Sequence, residues 1–231
     1  MHSTRKPENF RYMVTVETTF TKEELLRDLS PKTPFMMLGV SWDDYQEVVR
    51  ELDGSSVQTT YNNGVLKIMS KSSQHEYFIE FIKRIVDRVS FALVKKVIFF
   101  GSPTIKQSFV KKGAEPDACF YVSSADLISG KANVDVAANV PDIVVEVDVF
   151  HSSDEKFEIY SAFGVPEFWL YDEENLKIYR LENGQYREVS ASVEMPNLTA
   201  KTLTEFLNRS KTEDQFELLI EFENQLRNNQ L

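Results

Sequence analysis

The chain has 231 residues, 42% apolar and 27% charged, with a formal net charge of −10 and a single cysteine. The lone Cys119 excludes an intramolecular disulfide framework and suits a reducing compartment, and the acidity argues against a protein that grips nucleic acid over its whole surface. The first twenty residues lack a signal-peptide core and no later run is apolar enough to span a bilayer, so a soluble cytoplasmic protein without a membrane partner is expected.

Residues 1 to 20 show no pattern. Thr21 and Glu24 form a capping box that opens a short helix to about Leu29. Ser41 caps a second helix to Leu52, with Asp43 and Asp44 at its positive end. A hairpin turns at Asn62-Asn63-Gly64. The longest helix is predicted from Ser73 to Lys95, with Phe78, Ile82, Ile85, Val89 and Leu93 as its apolar stripe and Glu80 spaced to pair with Arg84.

VIFFGSP, SFVKKG and EPDACFYV then read as strands. Arg88 to Ala114 holds six basic residues and no acid. Within it Lys106, Lys111 and Lys112 are candidates to meet phosphate, although such blocks commonly mark only solvent exposure.

The stretch that organises the rest is PDIVVEVDVFHSSDEK, residues 141 to 156. Its Ile/Val density predicts a strand covered on both faces, yet Glu146 sits inside it and Asp148 two residues on. A carboxylate taken out of water is costly unless a cation or donors meet it. A divalent metal would answer that need, and so would a buried lysine or arginine. Ser152 or Ser153 caps a helix from about Asp154 to Phe163, closed by Gly164. PEFWLYD is a further strand, a hairpin turns at Asn183-Gly184, and one or two polar helices run from Thr202 to about Arg227. The succession predicts one α/β domain over 1–231: an extension at 1–40, a core at about 73–172, and a hairpin with helices at 173–231.

Asp117 and Glu146, on separate strands, are hard oxygen donors of the kind Mg²⁺ or Mn²⁺ takes. With Lys156 to orient water or offset charge on a phosphate, the set is coherent for phosphodiester hydrolysis. Cys119 lacks a base in the sequence and reads as an inert buried thiol, and Tyr160, Phe163, Phe168 and Trp169 read as core.

EPDACFYV, PDIVVEVDV and DEKFEIYSAFGVPEFWLYD together resemble the bacterial Uma-type endonuclease family, which is similar to restriction endonucleases of the PD-(D/E)xK superfamily. The resemblance runs from roughly 40 to 225 and includes the histidine of SSQHEYFIEF and the glycine of NNGVL. It implies a restriction-endonuclease-like mixed central sheet flanked by helices, with hairpin and helical extensions at both ends. It further implies a Mg²⁺- or Mn²⁺-dependent endonuclease acting on DNA, with a homodimer left open. Carried over by residue, Asp117 and Glu146 are the metal-binding acids, Lys156 the catalytic lysine and His75 the helix-start histidine. Glu76, Glu80 and Asp148 are additional candidates for the site.

The chain departs from the family pattern in three places. Its hairpin lacks an acid, Asp148 replaces an apolar residue, and the loop before the helix is short. These departures keep a second reading, a catalytically weak binding module on a nuclease fold. A glycoside hydrolase using Asp117 and Glu146 would leave Lys156 idle. Removing a metal-binding acid is expected to leave stability unchanged or raised, since like charges are relieved.

Overall fold

The computed structural model describes residues 26–27, 29–30, 33–149 and 152–228. The unpatterned first twenty residues and most of the helix expected at Thr21 to Leu29 lie outside them. In chain order the elements are β1 (Phe35–Leu38), α1 (Trp42–Leu52), β2 (Val57–Asn62), β3 (Val65–Ser70), α2 (Ser73–Ala92), β4 (Ile98–Gly101), β5 (Ile105–Gln107) and β6 (Lys112–Ala114). They continue with β7 (Ala118–Tyr121), α3 (Ala125–Ile128), β8 (Ile143–Val147), α4 (Asp154–Phe163), β9 (Glu167–Tyr171), β10 (Leu176–Glu182), β11 (Gln185–Val189), α5 (Ala200–Arg209) and α6 (Gln215–Arg227). The fold is mixed α/β, as the sequence suggested, with its strands in two sheets flanked by helices. The chain divides into two compact units, one of residues up to Ser72 with Lys106–Ala114, the other of Ser73–Ile105 with Glu115 onward.

The first unit is built on a five-stranded sheet in the order β1-β3-β2-β6-β5. Asn63 (φ 47°) and Gly64 (φ 96°) both take the positive φ that a two-residue hairpin turn demands. Ser41 caps α1, its Oγ accepting from Asp44 N at 3.1 Å. SFVKKG, expected as one strand, is interrupted by a turn at 108–111 where Lys111 takes φ 50°. Beyond that turn, Gly113 lies so close under Tyr45 that a Cβ there would fall 1.9 Å from its hydroxyl oxygen. Tyr45 in turn stacks on Tyr61 at 4.5 Å between ring centroids.

The second unit carries a six-stranded sheet, β11-β10-β9-β8-β7-β4, antiparallel except for the parallel pair β8–β9. A parallel pair needs a crossover, and α4 supplies it. One sheet face buries Phe120, Ile143, Val145 and Trp169 with Phe78, Ile82, Ile85 and Val89 of α2 and with apolar residues of α5 and α6. Helix α2 ends at Ala92, so Leu93, expected in its stripe, falls outside the helix and is 40% exposed. The opposite face meets α4, where Phe157 packs edge-on against Phe168 and Tyr179, each at 4.8 Å. No helix among the described residues is long and apolar enough to cross a membrane.

Candidate active site

Strand β8 brings Glu146 into the second unit's interior, and β7 runs antiparallel beside it. The register pairs Ala118 with Val145, and Asp117 N donates to Val145 O at 3.0 Å, so Asp117 and Glu146 oppose each other at the end of the pairing. Both are buried, Asp117 at 4% and Glu146 at 1% exposure. Two helix starts close over them. Lys156 lies in the first turn of α4, 2% exposed, with Nζ 2.5 Å from Glu146 Oε2 and 3.4 Å from Glu115 O. His75 lies in the first turn of α2, with Nε2 2.7 Å from Asp117 Oδ2. The main chain adds Val147 N, donating to that same Asp117 oxygen at 2.8 Å.

Tyr160, expected as packing alone, also belongs here: its hydroxyl donates to Glu146 Oε1 at 2.5 Å. The signal was present in the sequence. Lys156 and Tyr160 are four residues apart, so a helix projects both from one face. Glu146 thus has one oxygen on an ammonium and the other on a phenol, and the buried-lysine alternative raised by the sequence is met by the proposed catalytic lysine itself.

The remaining candidates sit in distinct surroundings. Glu76 Oε1 is 3.4 Å from His75 Nδ1 and the side chain is 44% exposed. Glu80 pairs with Lys83 at 2.8 Å rather than with Arg84, whose guanidinium reaches Gln215. Both Lys83 and Arg84 share the exposed side of α2 with Glu80, and the shorter i, i+3 reach takes the acid. Asp148 accepts from Ser153 N at 2.8 Å and Ser153 Oγ at 2.6 Å. Ser153 therefore spends its hydroxyl on Asp148 instead of capping α4, and Ser152 Oγ accepts from Asp154 N. Asp142 accepts from Val122 N and Ser124 N, fastening the loop after β7. In the other unit Lys112 is buried with Nζ 2.5 Å from Asn62 Oδ1, while Lys111 is exposed and Lys106 half-buried.

Charge is unbalanced in this pocket. Burial alone would raise the Asp117 pKa, but the His75 hydrogen bond and charge, and the charge of Lys156, bring it down to about 2. Burial pushes Glu146 up to about 8, with Asp117 opposite adding to the rise and Lys156 and Tyr160 opposing it. Burial likewise lifts Asp148 to about 6 against its Ser153 hydrogen bonds. Burial works against the Lys156 ammonium, yet Glu146, Asp117 and Asp148 outweigh it and raise its pKa. These shifts describe one condition: three carboxylates crowd one ammonium, so Glu146, Asp148 and Lys156 cling to their protons while Asp117, held by His75, carries the negative charge. Cys119 lies buried, its thiol pushed up to about 12 by burial, which leaves it inert.

Residues 42–209 match the Uma2 family, described as "Putative restriction endonuclease". The chain belongs to the Uma2 family. Among solved structures, this Uma2 chain is similar to "a putative nuclease belonging to DUF820" from Anabaena variabilis ATCC 29413. The two are 16% identical, the match covering 73% of this chain and 99% of the other with a TM-score of 0.51. That likeness is one of fold. No curated protein matches the chain.

Among the described residues of this Uma2 chain, no group of three or more His, Cys, Asp or Glu side chains is arranged to hold a metal ion. Two opposed carboxylates do suit Mg²⁺ in chemistry, because that ion keeps several waters and takes one or two carboxylates from protein.

Proposed function

We propose that this chain is a metal-dependent endonuclease that hydrolyses DNA phosphodiester bonds, using Mg²⁺ or Mn²⁺ held by Asp117 and Glu146. The observation that carries this reading is the opposition of two buried carboxylates on adjacent strands, with Lys156 2.5 Å from one of them. A divalent ion there would neutralise charge on a phosphate and make water a stronger nucleophile. The protein's own groups have separable tasks. His75 and Val147 N fix Asp117. Lys156 keeps the pocket tolerable for three carboxylates, and its ammonium on a flexible stem can turn to the charge that builds on a phosphate under attack. The family's description as a restriction endonuclease supports DNA as the substrate. Lys106 and Lys111 are the accessible candidates for phosphate contact, since Lys112 is spent on Asn62.

The second reading, a binding module on the same fold, draws on the occupation of both Glu146 oxygens by Lys156 and Tyr160. One experiment separates the two. Supercoiled plasmid is incubated with the protein in Mg²⁺, Mn²⁺ or EDTA, and Mn²⁺ binding is measured by calorimetry. Metal-dependent nicking that is lost in Asp117→Asn is expected. DNA binding with neither nicking nor metal uptake would assign the binding module. In DNA-binding titrations over a salt series, Lys106→Ala with Lys111→Ala should lower the slope of log affinity against log salt by about 2.

A further inference from the structure

We infer that Tyr160 is a positioning residue, whose hydroxyl holds Glu146 in place independently of Lys156 and so frees the lysine to serve a substrate anion. The inference rests on the nuclease reading of the site. Its starting point is the division of labour on one carboxylate, with Oε2 on Lys156 and Oε1 on Tyr160, each at 2.5 Å.

The two donors differ in what they can do next. Lys156 has a flexible stem and a second acceptor already within 3.4 Å, the main-chain oxygen of Glu115. Tyr160 has no such freedom. Its ring packs edge-on against Phe168 at 5.5 Å and Phe163 at 6.5 Å between ring centroids. A ring wedged by two others keeps its hydroxyl at one point.

Suppose Lys156 alone met Glu146. Any movement of the ammonium toward a phosphate would then leave a buried carboxylate with no donor, and the movement would be opposed by the whole cost of that exposure. With Tyr160 on the other oxygen, Glu146 stays bonded and oriented while the lysine changes partner. Partners of this kind, which orient a ligand without touching substrate, typically govern metal affinity and rate about 10- to 100-fold.

The test compares Tyr160→Phe with the unaltered protein in three measurements: thermal unfolding, Mn²⁺ affinity by calorimetry at one pH, and single-turnover plasmid cleavage at saturating Mn²⁺. Phenylalanine keeps the ring packing and removes only the hydroxyl. The expected result is a folded variant whose Mn²⁺ affinity and cleavage rate both fall by about tenfold or more, with the KM for DNA unchanged. A purely structural tyrosine would shift the unfolding temperature and leave those two quantities alone. If Tyr160→Phe does not fold, 4-methylphenylalanine at position 160 decides. It fills the space of the hydroxyl but cannot donate, so wild-type Mn²⁺ affinity and rate in that protein overturn the inference. Should the unaltered protein bind no Mn²⁺ and cut nothing, the nuclease reading fails and takes the inference with it. Should it bind and cut while Tyr160→Phe does so equally well, only the role of Tyr160 is lost.

Discussion

Two glutamates lie buried at opposite ends of the parallel pair β8–β9, each 1% exposed, and the protein meets them in different ways. Glu167, at the start of β9, accepts from Trp169 Nε1 at 2.6 Å and from Val193 N and Glu194 N at 2.7 and 3.4 Å. These donors, and a fourth from Ser192, are neutral and fixed by the fold, two of them in the backbone of a turn that Glu167 thereby pins to the sheet. Glu146, toward the end of β8, is met by a charged lysine on a flexible stem and faces a second carboxylate across the strand. A carboxylate held for shape needs only donors that stay put. One held beside Asp117 and Asp148 makes the folded state carry crowded negative charge, and that cost has a use only if a cation or an anionic substrate enters the pocket.

The sharpest way to break this contrast is to neutralise each glutamate in turn. Glu146→Gln should bring metal-dependent cleavage down to background while the protein stays folded. Glu167→Gln should leave the cleavage rate within a few-fold of normal and lower stability by about 1–3 kcal/mol, because one buried acceptor becomes a mismatched donor. Plasmid nicking and urea unfolding of both variants decide it. Equal loss of cleavage in the two would erase the distinction.

A second comparison concerns the partner left behind. The sequence suggested that losing Glu146 would hold or raise stability, by relieving repulsion with Asp117. With Lys156 buried against Glu146, the balance is different: Glu146→Ala strands an ammonium in the interior, and breaking such a pair costs about 3–5 kcal/mol. Asp117 and Asp148 remain near the lysine, so a value at the lower end of that range is expected. Replacing both partners, Glu146→Met with Lys156→Met, should recover most of the loss. Additive losses in the double variant would show that the two side chains are not coupled in the folded protein.

How much of this could be read in advance depended on how local the cause was. Helix α4 was legible from Asp154 to Gly164, since the glycine takes the left-handed conformation (φ 77°) that ends it. The same holds for the turns at Asn63-Gly64 and Asn183-Gly184 and for the Ile/Val run of β8, where neighbouring residues dictate the outcome. Strand β1 was missed because Phe35–Leu38 is four apolar residues without alternation, and only its pairing with β3 makes it a strand. The break in SFVKKG depends on a positive φ at Lys111, for which lysine carries no signal. At the site, the pairing of Asp117 with Glu146 was expected from the strand reading, and Lys156 from what the family resemblance implies. Tyr160 was hidden by its ring, which is indeed core, while its hydroxyl is not. Glu167 could not have been assigned at all, because two of its donors come from 26 and 27 residues further on.

The smallest effect lies in the pH dependence of stability, and it tests whether the two glutamates share a burden despite their different partners. Burial raises both: Glu146 to about 8, Glu167 upward against its hydrogen bonds from Ser192, Trp169, Val193 and Glu194. A carboxyl group whose folded pKa exceeds its unfolded value of 4.5 holds its proton more tightly when folded. Its contribution to stability is therefore complete below pH 4.5 and is lost as the pH rises through the folded value. Metal-free protein should accordingly lose stability between pH 4.5 and about 8 through Glu146, with Asp148, raised to about 6, and Glu167 adding to the decline in the same direction. Glutamine at either position cannot titrate, so Glu146→Gln should flatten most of the slope and Glu167→Gln a little of it, measured by urea unfolding at a series of pH values in EDTA. A Glu167→Gln protein whose slope flattens as much as that of Glu146→Gln would mean that neutral donors leave a buried carboxylate as strained as a crowded ionic pocket does, and the contrast between the two ends of the sheet would have to be abandoned.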